Sequence, residues 1–206
     1  MNPLYRNDRP GIHAPSAYAA GVTAPERRAL TGALTVDVAV IGAGISGIAS
    51  ANVWQKFGYQ VTVFEASDKV GGQWNKSYPG VTLQNTAPQY QFADFPWPFK
   101  PDRHPTVEQV LRYINAAVTA FNLNVQLNSP ISQIEKTANG WDVTLNGKTE
   151  AYDYVVVATG QYPGGDDKLV PDFDGIDTYQ GEMITNLSDI DQFKDKNVAI
   201  IGFGKT

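Results

Sequence analysis

Residues 36–72 read VDVAVIGAGISGIASANVWQKFGYQVTVFEASDKVGG. Val36–Ile41 is a mostly apolar run, the pattern of a buried parallel strand. Gly42-Ala43-Gly44-Ile45-Ser46-Gly47 follows it as a G-x-G-x-x-G. A helix-like segment then runs to about Phe57, and a second strand, Val61–Phe64, ends in Glu65. Each glycine has its own expected task. Gly42 permits the tight turn out of the strand. Gly44 lets a pyrophosphate approach the backbone without meeting a Cβ. Gly47 lets the helix pack close to the sheet. The helix N-terminus offers unpaired N–H groups and the positive end of its dipole to the phosphates. Glu65 stands eighteen positions after Gly47, where a carboxylate accepts hydrogen bonds from both ribose hydroxyls. A glycine motif alone is weak evidence. The strand before it, the helix and strand after it and the terminal acid together define a dinucleotide site.

Composition removes several other classes. The chain has 206 residues, 42% apolar and 18% charged, with a net charge of −5. It has no basic tract, so nucleic acid is not an expected partner. With no Cys in the sequence, these residues form no disulfide, redox Cys pair or Cys nucleophile. His13 and His104 are far apart and outside any ligand-spaced motif, so no metal site is expected. No apolar run approaches the roughly 20 residues of a membrane span. The N-terminus lacks the apolar core of a secretory signal, and a cytoplasmic location is expected.

Residues 1–35 are rich in Pro, Gly, Ala and Arg without a sustained period, and read as an N-terminal arm or extension. After Glu65, Gly71-Gly72-Gln73-Trp74 predicts a second close backbone approach along the same cofactor. A simple NAD domain does not need this extension, whereas two-domain flavoproteins typically have it. Trp74 has two readings here, cover for a flavin or core aromatic. Tyr78–Asp102 is dense in Pro and aromatics, which excludes a continuous helix. It reads as a functional loop packed by its own side chains, or as a hydrophobic plug without ligand.

Thr106 and Gln109 form a capping box that opens a helix reaching about Asn122. Val107, Val110, Leu111, Ile114, Val118 and Phe121 give its apolar stripe. Asn124–Leu127, Ile131–Glu135 and Trp141–Leu145 predict an antiparallel meander, with turns at Asn139-Gly140 and Asn146-Gly147. Tyr152–Gly160 predicts another buried strand. In the parallel sheet, its carboxyl end would lie beside the glycine turn. Loops rich in Gly, Pro and Asp fill residues 161–195. Asn197–Ile201 then repeats the opening theme, a buried strand leading into Gly202-Phe203-Gly204. This is not a P-loop, because the spacing before Lys205-Thr206 is wrong.

In order along the chain, "GAGISG", "VFEASDKVGGQW", "YPGVTLQN", "FADFPWP", "VVVATG" and "VAIIGFGKT" resemble the class B flavin-dependent monooxygenases. That family includes the flavin-containing and Baeyer–Villiger enzymes, and the likeness covers about residues 36–206, closer to the flavin-containing branch. The resemblance implies an α/β fold: a Rossmann-like FAD-binding domain, with a parallel sheet and an antiparallel β-meander, over residues 36–195. Residues 196–206 would begin an NADPH-binding domain, so that the chain is truncated there and inactive alone. It implies FAD at Gly42, Gly44, Gly47 and Glu65, and an isoalloxazine lined by Gly72, Gln73 and Trp74. The adenine would meet the Ile131 backbone. Thr159 and Gly160 match the segment between domains, and Gly202 and Gly204 match the start of the NADPH motif. A family Asn beside the flavin falls at Asn85, or at Gln84 when counted back from "DFP"; this residue positions substrate or peroxide. In the implied reaction NADPH reduces FAD. Reduced flavin takes up O₂ as a C4a-(hydro)peroxyflavin and passes one oxygen atom to a small organic substrate, in N/S oxygenation. Baeyer–Villiger oxidation, N-hydroxylation by a related flavoprotein, a disulfide reductase-like enzyme and a non-catalytic truncated FAD-binding module are the alternatives. One departure is Thr185, which stands where the family fingerprint has His.

Overall fold

The computed structural model describes residues 37–160, 174–183 and 191–201. Strand β1 (Asp37–Ile41) leads through helix α1 (Ile45–Lys56) to β2 (Gln60–Phe64). Helix α2 (Val107–Ala120) then leads to β3 (Asn124–Gln126). Strands β4 (Ile131–Lys136), β5 (Trp141–Leu145), β6 (Lys148–Tyr152) and β7 (Tyr154–Val157) follow. The first sheet is parallel with order β3-β2-β1-β7, and β4-β5-β6 is an antiparallel meander.

The alternation of β1 builds two cores. Val38 and Val40 pack with Ile48 and Ala51 of α1 and with Val110 and Ile114 of α2. Ala39 and Ile41 face the other way, with Phe64 and with Val143 of the meander. Strands β1 and β2 are thus covered by helices on one face and by the meander on the other, as their apolar sequences require.

Helix α2 starts as its sequence predicts. Thr106 Oγ1 accepts from the Gln109 N–H at 3.3 Å, and Gln109 Oε1 accepts from the Thr106 N–H at 3.2 Å. The helix ends at Ala120, and Asn122 turns left-handed with φ 51°. The helix's buried residues are Val110, Tyr113, Ile114 and Ala117, with Val107, Leu111, Val118 and Phe121 half-buried. The Tyr113 hydroxyl accepts from the Phe92 N–H at 2.7 Å and donates to the Phe95 carbonyl at 2.6 Å. Its ring stacks on Trp97 at 4.3 Å. The aromatics of the irregular loop are therefore turned onto α2, and the loop base is closed by the Leu83 N–H donating to the Pro105 carbonyl at 2.8 Å.

Three sequence expectations change. Asn124–Leu127 is not in the meander: β3 pairs in parallel with β2, because α2 carries the chain across to the sheet's outer edge. The third meander strand is instead Lys148–Tyr152, whose KTEAY sequence is mostly exposed and carries no apolar alternation. It follows β5 through a tight Asn146-Gly147 hairpin, with φ 51° and 74°, as a type I′ turn needs. Tyr152–Gly160 is not one buried strand: Asp153 separates β6 from β7 and donates its N–H to the Asp37 carbonyl at 3.0 Å, and β7, on the sheet's edge, leaves Tyr154 and Val157 exposed. Asn197–Ile201 forms no strand and is exposed; no described strand pairs with it. The arm at 1–35, Thr185, Gly202 and Gly204 lie outside the described residues.

Candidate functional site

β7 lies against one side of β1 and β2 against the other, so the chain order reverses at the β1–β7 boundary. Open α/β sheets bind ligands at the carboxyl ends of strands at such a point. The glycine turn sits there, and its three glycines differ physically. Gly42 has φ 105°, and a Cβ on it would stand 2.5 Å from the Ala158 carbonyl oxygen at the end of β7. Its N–H donates to the Phe64 carbonyl at 2.7 Å. At Gly47 a Cβ would run into the Gly42 carbonyl oxygen. Gly44 is unlike both. Its φ is −77°, open to any residue, and a Cβ there would meet nothing nearer than Gly72 Cα at 3.8 Å, an ordinary contact. Among the described residues nothing requires glycine at Gly44.

Gly44 is also the N-cap of α1. No side chain caps this helix and its first turn holds no acid, so its leading N–H groups and dipole face outward. Glu65, 9% exposed at the end of β2, stands beside the turn. Its Oε2 accepts from the Ala43 N–H at 2.7 Å. Its Oε1 accepts from the Ser67 N–H at 3.0 Å and from Ser67 Oγ at 2.8 Å. An ionised carboxylate has about four acceptor positions, so at least one on Oε2 is left. The Gly71 N–H donates to the Ala43 carbonyl at 2.9 Å. A Cβ on Gly72 would lie 3.0 Å from Gly44 Cα, and Gly72 has φ 55°. Gly72 is thus pressed onto the first glycine turn, while Gly71, at φ 129°, leaves room for the Leu111 and Asn75 side chains, so the chain's own packing accounts for both glycines.

Trp74 is half-buried against the helix-side core. Its indole N–H donates to the Tyr90 hydroxyl at 2.8 Å. Burial pushes the Tyr90 hydroxyl above its usual pKa, partly offset by that hydrogen bond. Tyr90 and Phe92 line a cleft of about 410 Å³ with Ile45, Ser46, Ala49 and Asn52 of α1. The core-aromatic reading of Trp74 therefore has direct contacts.

The structure brings together Gly42, Gly44, Gly47, Glu65, Gly72 and the Thr159 backbone, whose nitrogen lies 3.4 Å from a Cβ built on Gly42. Thr159 and Gly160 are exposed just after β7. Ile131 is half-buried in β4 against the Phe64 cluster. The segment before it is tied to β2 by the Ser129 N–H donating to the Glu65 carbonyl at 2.7 Å. Gln73, Gln84 and Asn85 are exposed. Sequence reasoning did not single out Ser67, although its place two residues after the acid is a readable signal. Among the described residues no cluster of His, Asp or Glu is arranged to hold a metal. No described helix is long and apolar enough to cross a membrane.

The sequence profile of the pyridine nucleotide-disulphide oxidoreductase family matches residues 39–205. The chain belongs to this family, and within it its likeness is to the class B flavin-dependent monooxygenases. A chain of Arabidopsis thaliana named as a flavin-containing monooxygenase 2 is 31% identical over 209 residues, 82% of this chain and 45% of that one. Flavin-containing monooxygenase 1 of Sus scrofa is 29% identical, covering 82% of this chain and 36% of that one. The solved structure of OTEMO in complex with FAD and NADP superposes with a TM-score of 0.59 at 29% identity, over 71% of this chain and 29% of that chain. The chain thus spans less than half the length of these relatives.

Proposed function

We propose that this chain is the FAD-binding part of an NADPH- and O₂-dependent monooxygenase that places one oxygen atom on a nitrogen or sulfur of a small organic substrate. In this reading residues 36–195 are the FAD domain and residues 196–206 open the NADPH domain. The observation that carries it is Gly44. It has neither a left-handed backbone nor a crowded Cβ position, and among the described residues nothing fills the room it leaves. A pyrophosphate beside uncapped helix N–H groups fits that room. Glu65 has acceptor capacity for an adenosine ribose hydroxyl, and a backbone contact near Ile131 is proposed for the adenine.

FAD, when bound, would supply the chemistry of O₂ activation, with NADPH as the hydride donor. The chain's residues bind and orient it. The α1 N-terminus offsets phosphate charge, and Glu65 fixes the ribose. Gly72, Gln73, Trp74, Thr159 and Gly160 are proposed to border the flavin. Gln84 or Asn85 is proposed to hold substrate or peroxide, and Gly202 and Gly204 to begin the NADPH site. The likeness to chains named flavin-containing monooxygenases supports monooxygenation, and N/S oxygenation is the form of it proposed here. A disulfide-reductase reading has no Cys to use in these 206 residues.

Gly44→Ala tests this. Folding stability should stay within about 1 kcal/mol of the parent, because alanine fits this backbone. FAD affinity, read by fluorescence titration, should fall at least tenfold. Unchanged FAD binding in a folded Gly44→Ala chain, or tighter binding of NAD than FAD by the parent, would overturn the proposal.

A further inference from the structure

We infer that Ser67 is a positioning residue for cofactor recognition: it holds the Glu65 carboxylate so that Oε2 receives the ribose. The inference rests on the FAD reading above and deepens it. Glu65 is the acid at the end of β2, and a free carboxylate rotates about its last torsion with a broad preference. Here three donors fix it. Ala43 N–H holds Oε2 at 2.7 Å, while Ser67 holds Oε1 through its N–H at 3.0 Å and its Oγ at 2.8 Å. Two donors saturate Oε1. The remaining acceptor position is on Oε2, the oxygen bound to the Ala43 amide inside the glycine turn. Ribose recognition is thereby directed to the side of the carboxylate that faces the pyrophosphate cradle.

Ser67 has a second property. Its Oγ also lies 2.9 Å from the Lys69 carbonyl, and a hydroxyl has one proton to give. Rotation of that proton alone, with no movement of heavy atoms, moves it from Oε1 to Lys69. The carboxylate can therefore open a second acceptor position for the other ribose hydroxyl once the first is seated. Ser67 is exposed and does not fill core space, so removing its hydroxyl leaves no cavity.

The test is FAD affinity in a double-mutant cycle on the full chain, with melting temperature measured in parallel. Ser67→Ala should weaken FAD binding three- to tenfold and shift melting little, because the backbone N–H remains. Ser67→Thr should restore binding to within twofold. In a Glu65→Gln background, Ser67→Ala should cost less than twofold, since the group it orients has lost its charge. An equal loss in both backgrounds would show that Ser67 acts independently of Glu65, and unaltered binding in Ser67→Ala would show that it does not act; either overturns the inference alone. A parent chain that binds no FAD overturns the FAD reading, and the inference with it.

Discussion

Val38–Ile41 and Val198–Ile201 carry nearly the same side chains, VAVI and VAII, and each runs into Gly-x-Gly. The first is a strand whose members are between 0% and 8% exposed. The second forms no strand, with Val198 55%, Ile200 88% and Ile201 64% exposed. Intrinsic strand propensity is equal in the two, so it does not decide the outcome. The difference lies in the neighbours. β1 has β2 on one edge and β7 on the other, helices over one face and the meander under the other. Among the described residues nothing comparable surrounds the later run. A continuous apolar strand is stable only where both faces are covered.

The largest test of that contrast is a charge placed at matching positions. Val40→Asp puts an unpaired carboxylate between the helices and the sheet. It should cost more than about 4 kcal/mol, enough to abolish the urea transition. Ile200→Asp should move stability by less than about 0.5 kcal/mol, as for an exposed site. Similar losses at both positions would mean that Ile200 is buried in solution.

Gly47→Ala tests the covering helix where it meets the turn. In an exposed helix this change gains about 1 kcal/mol. Here the new Cβ meets the Gly42 carbonyl oxygen, and the overpacking should cost up to about 3 kcal/mol. FAD affinity should fall as well, because the same turn would bear the phosphates. A gain in stability would show that α1 can shift away from the sheet.

How far such coverage can be read from the sequence depends on how local its cause is. β1, α1 and β2 are legible, because an apolar run, spaced glycines and a terminal acid act within their own segment. The Thr106–Gln109 box is equally local. β3 was misplaced because its residues do not state which sheet edge a helical crossover delivers them to. β6 was hidden because KTEAY faces solvent along most of its length, and its pairing comes from the hairpin and from β5. At the site, the glycine spacing and Glu65 were legible as a pattern. Which glycine serves the fold and which leaves room was not, since only Cβ neighbours separate Gly44 from Gly47. The partners of Glu65 were equally invisible, as Ala43 is twenty-two residues away.

Tyr113→Phe tests the helix-side cover in the loop it anchors. The change leaves the Phe92 N–H without its buried acceptor and the Phe95 carbonyl without its donor. The loss should be about 1–2 kcal/mol, with faster proteolysis within residues 78–102. A loss of stability without greater loop cleavage would mean that ring stacking on Trp97, retained in Phe, holds the loop unaided.

The smallest effect probes the cover on the other face. Tyr152 packs edge-on against Phe64 at 6.0 Å, and its hydroxyl donates to Glu150 Oε2 at 3.0 Å. Burial, then the hydrogen bond and charge of Glu150, then the charge of Asp37 push its pKa from 10.0 up to about 12. The phenolate is the disfavoured form in the folded chain. Between pH 10 and about 12 the unfolded chain therefore binds fewer protons than the folded one, and stability falls as pH rises. The contribution is complete below pH 10 and is lost as pH rises through about 12. Tyr152→Phe removes it. At neutral pH this variant should lose no more than about 1 kcal/mol for a partly exposed hydrogen bond. In urea titrations from pH 9 to 12 the gap between parent and variant should hold to about pH 10 and shrink above it, because only the parent has this proton to lose. Other tyrosines, Tyr90 among them, contribute equally to both chains and cancel in the difference. A gap that stays constant across that range would mean that the meander does not hold Tyr152 against the sheet in solution, and that the underside of β1 is more open than its apolar sequence requires.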